Sequence, residues 1–235
     1  EQLPPLDIVL ISHAHLDHLN RPSLRKLAHK TKTLIVAKNC SDLVRDLGFK
    51  KIVELHWEDS FRPSPDEGRV VRQPADREGL QLLTFRPQHW GTRLPWERVR
   101  RGYNSYLISK NGVNILFAGD TGNSNIFKEI GGQYPIDIVF FPITAYNPPE
   151  FRVMHMHPED AVRAFQEMNA KLLIPIHWGV FRLSFEPMDE PPRLIEEIMQ
   201  KRGLSSKLQL LHPGQTFDLS LNPSPRLGRV VSSFS

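Results

Sequence analysis

The stretch DIVLISHAHLDHLN, residues 7–20, constrains this chain more than any other. It begins as a short β-branched run, DIVLIS, bounded by turn residues, which reads as a buried strand. It then sets His13, His15, Asp17 and His18 within six positions. Four such groups at a buried strand end are costly to desolvate unless a cation satisfies them. The fold must therefore open a strand end onto a place where metal ions can sit.

The rest of the chain alternates strands and helices. Apolar runs predict strands at 33–37, 51–55, 80–87, 103–109, 113–119, 136–143 and 171–176. The 136–143 run is apolar on both faces, and KNG at 110–112 is a good tight-turn sequence. A helix is expected at 21–30, with Pro22 in its first turn, and another at 41–48, with Ser41 as cap and Gly48 as stop. Further helices are expected at 123–131, 158–168 and 190–203. In the second of these, Pro158, Glu159 and Asp160 suit an N-terminus, and Ala161, Val162 and Phe165 line one face. In the third, Leu194, Ile195, Ile198 and Met199 point inward. Residues 61–79, rich in Pro, Gly and charge, read as an excursion or long hairpin. The expected organisation is one α/β domain over 1–220, with mixed sheets and outer helices, and a flexible tail at 221–235.

Composition narrows the function classes. The 235 residues are 40% hydrophobic and 24% charged, which suits a globular protein. No apolar stretch approaches the roughly 18 residues of a membrane span. A net charge of +4 without a block of like charges argues against nucleic-acid binding. The basic run ERVRRGY (97–103) could meet an anionic substrate or surface, but a solvated loop is the simpler account. Cys40 stands alone, so neither a disulfide framework nor a cysteine zinc site is available. That fits a reducing, cytoplasmic address. The chain opens on Glu1 and enters a strand almost at once, which reads as a processed or truncated product whose targeting signals cannot be judged.

Three more reactive residues follow apolar strands: His89 after LLTFRPQ, Asp120 after ILFAG and His177 after LLIPI. Residues just past strand ends share a rigid rim and can converge from distant parts of a sequence. Imidazole and carboxylate are the usual zinc ligands when no thiolate is present. Asp120 could bridge two ions about 3.5–4 Å apart, and the water held there ionises near neutral pH to give a hydroxide nucleophile. His29, His56 and His212 stand alone and read as ordinary satisfied side chains.

At these residues the sequence resembles the metallo-β-lactamase superfamily, because HAHLDH matches its H-x-H-x-D-H signature. The resemblance implies an αββα sandwich. It also implies two zinc ions per chain: His13, His15 and His89 on one, Asp17, His18 and His177 on the other, and Asp120 between. LPPLDIVLISHAHLDHL, RPQHW, LFAGDTG, PIDIVFFPITAYNP, HMHPEDAV and IPIHWG together look like the N-acylphosphatidylethanolamine-hydrolysing phospholipase D branch and its bacterial relatives, from residue 3 to about 217. In that branch a histidine before the P-E-x-A-V helix assists at the site, and His155 matches it; His157 falls where better-known members carry Asp. The family fold has leading strands before the first metal motif, which this sequence lacks.

The resemblance implies hydrolysis of a phosphodiester, with a phospholipid or other small molecule as substrate and Asp17, Asp120 and His155 as catalytic groups. Trp90, Trp96, Tyr146, Phe151 and Phe181 lie near the motif loops and could form an apolar wall for acyl chains, or simply pack. Peripheral membrane contact and self-association stay open. The rivals are a lactonase or ester hydrolase of the ascorbate-phosphate type and a metal-binding scaffold without turnover. An iron-based oxygen-reducing role is disfavoured, since such relatives carry Glu where His15 stands.

Overall fold

A computed structural model of the chain describes residues 3–63, 69–71 and 79–218. The chain divides into two compact units, residues 1–111 and 112–235.

In the first unit, β1 (Leu6–Leu10), β2 (Thr31–Ala37) and β3 (Ile52–Leu55) form a parallel sheet in that order. Parallel strands need a crossover connection. The first crossover is α1 (Arg21–Leu27), started by Asn20, whose side chain accepts the Ser23 N–H at 3.0 Å. A 3-10 turn at Ala28–Lys30 completes the helical span expected from the sequence. Leu24 of α1 packs into a buried cluster with Ile11, Ala14, Leu19, Leu34 and Val36.

The second crossover departs from expectation. No α-helix forms at 41–48; a single 3-10 turn covers Ser41–Leu43. Distant partners instead hold the start of this segment from outside it. The Ser41 N–H donates to Glu54 Oε1 at 2.7 Å. The Arg101 guanidinium donates to the Asn39 carbonyl and grips both carboxylate oxygens of Asp42. That buried clamp also shows what part of the basic run 97–103 is for.

Four antiparallel strands complete this unit: β4 (Ser60–Arg62), β5 (Arg69–Val71), β6 (Gln81–Phe85) and β7 (Ser105–Lys110), in the order β7-β6-β4-β5. The β4–β5 pair agrees with a hairpin at the base of the 61–79 excursion. Its residues 64–68 and 72–78, like the expected tail at 221–235, lie outside the described residues. Past β7 the chain turns through Asn111 (φ 52°) and Gly112 (φ 81°), the left-handed pair that a tight Asn-Gly turn requires.

In the second unit, β8 (Val113–Phe117), β9 (Ile138–Pro142) and β10 (Leu172–Ile176) run parallel in the order β10-β9-β8. The crossovers contain α2 (Ile126–Gln133) and α3 (Pro158–Glu167), and α4 (Glu190–Lys201) follows β10. Phe127 of α2 meets Phe141 of β9 edge to face, centroids 4.9 Å apart. Ala161, Val162 and Phe165 of α3 are buried, as are Ile195, Ile198 and Met199 of α4, so both expected faces turn inward. No helix among the described residues is long and apolar enough to cross a membrane.

Candidate metal centre

In the first unit the chain leaves β1 and is held at once. The Ile11 N–H donates to the Ile35 carbonyl at 2.9 Å, and the Tyr106 hydroxyl donates to the Ile11 carbonyl at 2.9 Å. The turn then closes on one acceptor: the His18 and Leu19 N–H groups both donate to the His15 carbonyl, at 3.1 and 2.8 Å. Ala14 and Leu19 are fully buried and anchor the turn in the core. Around that turn His13, His15, Asp17 and His18 gather beside one another.

Their side chains converge. His13 Nε2 lies 2.9 Å from His15 Nδ1, and His89 Nε2 lies 3.4 Å from the same atom. The His13 ring sits 4.2 Å from that of His18, and His18 Nε2 is 3.3 Å from Asp17 Oδ2. Ser12 Oγ lies 3.0 Å from His13 Nδ1. A proton on His13 Nδ1, held by Ser12, leaves Nε2 as a lone pair aimed at the other rings. Three imidazole nitrogens facing inward, with no thiolate, form a donor set that fits a borderline cation such as zinc.

In the second unit Asp120 follows β8, with Gly119 in the left-handed region (φ 66°) turning the chain. The carboxylate is buried. His177 follows β10, itself at φ 64°, and its Nε2 lies 3.4 Å from Asp120 Oδ1. Thr144, past β9, donates its hydroxyl to the His177 carbonyl, and its Oγ1 lies 3.1 Å from His177 Nδ1. With its proton spent on the carbonyl, Oγ1 accepts from Nδ1–H, which frees Nε2 to act as a ligand. His155 Nδ1 stands 4.0 Å from Asp120 Oδ2, and its ring is stacked with that of His177 at 6.3 Å.

The expected aromatic wall divides. Trp90 is 41% exposed and lies against His15 and His89, ring centroids 4.8 and 4.3 Å apart. Trp96, Phe151 and Phe181 are exposed. Tyr146 corrects the expectation: it is buried, its hydroxyl donates to Glu190 Oε1 at 2.6 Å, and its ring packs on His157. It ties the loop after β9 to the first turn of α4 and offers no open face. His157 is half-buried. It is the N-cap of α3 and completes a capping box with Asp160.

Sequence reasoning missed the supports. Ser12 and Thr144 flank strand ends, a signal that could have found them. Glu186 carried none: its buried carboxylate accepts the Ala145 and Asn147 N–H groups at 2.6 and 3.2 Å, bracing the loop that holds Thr144.

The chain matches the family model described as Beta-lactamase superfamily domain over residues 1–178. An uncharacterised protein of Mycobacterium tuberculosis (strain ATCC 25618 / H37Rv) is 32% identical over 223 residues, covering 92% of this chain and 55% of that protein. The mitochondrial N-acyl-phosphatidylethanolamine-hydrolyzing phospholipase D of Saccharomyces cerevisiae is 26% identical over 221 residues, covering 92% and 45%. The chain thus spans about half the length of these two relatives. A UPF0173 metal-dependent hydrolase of Lysinibacillus sphaericus is 27% identical over 209 residues, covering 89% and 80%. Among solved structures, a metallo hydrolase of the archaeon Ignicoccus hospitalis has a TM-score of 0.64 at 21% identity, covering 89% of this chain and 78% of that one. A metallo-beta-lactamase fold protein of Bacillus subtilis has a TM-score of 0.57 at 17% identity, covering 89% and 76%. At such identities these likenesses show the fold alone.

Proposed function

This chain belongs to the beta-lactamase superfamily and has its α/β fold, and from that premise we propose a metal-dependent hydrolase that cleaves phosphodiesters of the phospholipid type. The observation that carries the reading is the meeting of His13 Nε2, His15 Nδ1 and His89 Nε2 within 2.9 and 3.4 Å. In this reading two zinc ions are the cofactors. His13, His15 and His89 would hold one, Asp17, His18 and His177 would hold the other, and Asp120 would serve both. When bound, such a pair supplies Lewis acidity and lowers the pKa of water toward neutrality.

The chain's own residues do the rest. Thr144 fixes the tautomer of His177, so that it presents Nε2, and a Ser12 hydroxyl accepting from His13 Nδ1–H does the same for His13. Asp17 Oδ2 and His18 Nε2, 3.3 Å apart, are close enough to serve one ion together. His155, close to Asp120, hydrogen-bonds a phosphoryl oxygen of the substrate and hands a proton to the leaving alkoxide. Trp90 and Phe181 offer apolar surface to acyl chains. Support for a phospholipid rather than another ester comes from the distant homology to N-acyl-phosphatidylethanolamine-hydrolyzing phospholipase D.

The test pairs metal content with turnover of bis(p-nitrophenyl) phosphate and an N-acylated phosphatidylethanolamine. About two zinc ions per chain are expected, with Asp120→Ala abolishing activity and His155→Ala lowering it about 10²–10⁴-fold. A zinc-loaded chain that opens lactones and leaves both phosphodiesters intact would move the substrate class. A folded chain that takes up no metal would end the reading.

A further inference from the structure

Arg93 is not among the residues that face the metal-capable side chains. It lies in the segment that follows His89, and its guanidinium reaches behind the histidine-rich turn. Its Nη1 donates to the Ala14 carbonyl at 2.6 Å and to the Leu19 carbonyl at 3.0 Å. His15, Asp17 and His18 lie between those two acceptors, and His13 immediately precedes the first.

The arrangement answers a specific need. Within the turn, the His18 and Leu19 N–H groups donate to the His15 carbonyl. Ala14 and Leu19 are fully buried, and a carbonyl in such a place needs a donor. One guanidinium supplies both, with a stronger bond than a neutral donor makes.

Arg93 is also held from its own side. Its backbone N–H donates to Glu97 Oε2 at 3.0 Å, and Glu97 Oε1 accepts from the buried Arg101 side chain. Gly91 runs so close to residues 101–102 that an added Cβ would lie 2.4 Å from the Arg101 carbonyl oxygen. The segment carrying His89 is thereby fixed to 97–102, and Arg93 passes that fixed position to the turn.

We propose that Arg93 is a positioning residue: its guanidinium sets the register between His89 and the His13–His18 turn, and so sets metal affinity. The inference rests on the metal-hydrolase reading. A guanidinium that merely packed behind the loop would change stability alone, whereas a positioning one also changes the centre's affinity and geometry.

The experiment uses the full chain as wild type, Arg93→Gln and Arg93→Lys. Zinc affinity is read by chelator competition, the visible spectrum is recorded with cobalt(II) in place of zinc, and stability without metal is measured in urea. Arg93→Gln is expected to bind zinc about 10–100-fold more weakly and to show an altered cobalt spectrum, with Arg93→Lys in between. Should Arg93→Gln fail to fold, Arg93→Lys carries the comparison, because it keeps the charge and loses the fork. Wild-type zinc affinity and an unchanged cobalt spectrum in a folded variant would overturn the proposal, even if its urea midpoint dropped. A wild-type chain that binds neither zinc nor cobalt would bring down the metal reading and this inference together.

Discussion

His157 performs at the start of α3 a task that short polar side chains usually perform. Its Nδ1 accepts the Glu159 N–H at 3.1 Å, while Asp160 Oδ2 accepts the His157 N–H at 3.2 Å. Only the unprotonated ring can accept there. Burial, and next the Arg152 cation, hold the imidazole below its ordinary value of 6.5. A histidine that stays neutral in the fold and protonates when unfolded gives stability that is complete above that ordinary value. The contribution is lost as pH falls below 6.5 toward the lowered value. His157→Ala should cost about 1 kcal/mol at pH 7.5. His157→Asp should keep the cap and carry the loss to lower pH, because a carboxylate remains ionised. Urea midpoints between pH 5 and 7.5 test both, and a wild-type midpoint that is flat over that range would refute the account. This is also where the sequence was hardest to read. Ligating side chains announce themselves by type and spacing, as HAHLDH does. The side chains of His157 and Arg93 bond to backbone groups, which every residue has and no motif records.

Among the elements, legibility tracked where the hydrogen bonds go. The runs at 33–37, 136–143 and 171–176 are apolar enough that burial alone specifies a strand, and β2, β9 and β10 appear there. The segment 41–48 has a cap and a stop yet forms only a 3-10 turn, its start held from outside by Glu54 on the Ser41 N–H and Arg101 on the Asp42 carboxylate. Arg101 is distant in sequence, so no local pattern could reveal it. The same clamp gives an acid-side prediction. The Arg101 hydrogen bonds hold Asp42 and Glu97 below their ordinary values of 3.8 and 4.5. Their contribution is complete above those ordinary values and is lost as pH falls through the lowered ones. Arg101→Gln should cost roughly 2–3 kcal/mol at pH 7, the low side of a buried-pair loss because Asp42 is half exposed. It should also flatten the fall in stability on acidification. Urea titrations at neutral and acid pH measure both, and an unchanged acid slope in the variant would assign that slope to other carboxylates.

For the molecule as a whole, the proposed ligands come from both compact units: residues 13–18 and 89 from the first, and residues 120 and 177 from the second. A ligand that binds only the folded form stabilises it by mass action, by about 2.7 kcal/mol at 100 times its dissociation constant. If the ions are shared through Asp120, that stabilisation must fall on both units together. The chain carries its own reporters, with Trp57, Trp90 and Trp96 in the first unit and Trp178 in the second. Variants retaining either Trp57 or Trp178 alone would follow each unit by fluorescence during urea unfolding, with zinc and with chelator. Zinc should raise both midpoints and draw them together, and Asp120→Ala should remove most of the rise in both. Asp120 is the residue to remove because the other ligands each serve one ion, and losing one of them should weaken the two units unequally. A rise confined to the Trp57 report would mean that the histidines of the first unit hold metal unaided. The hydrolytic reading would then lose its shared carboxylate, although the first cluster would remain a metal site.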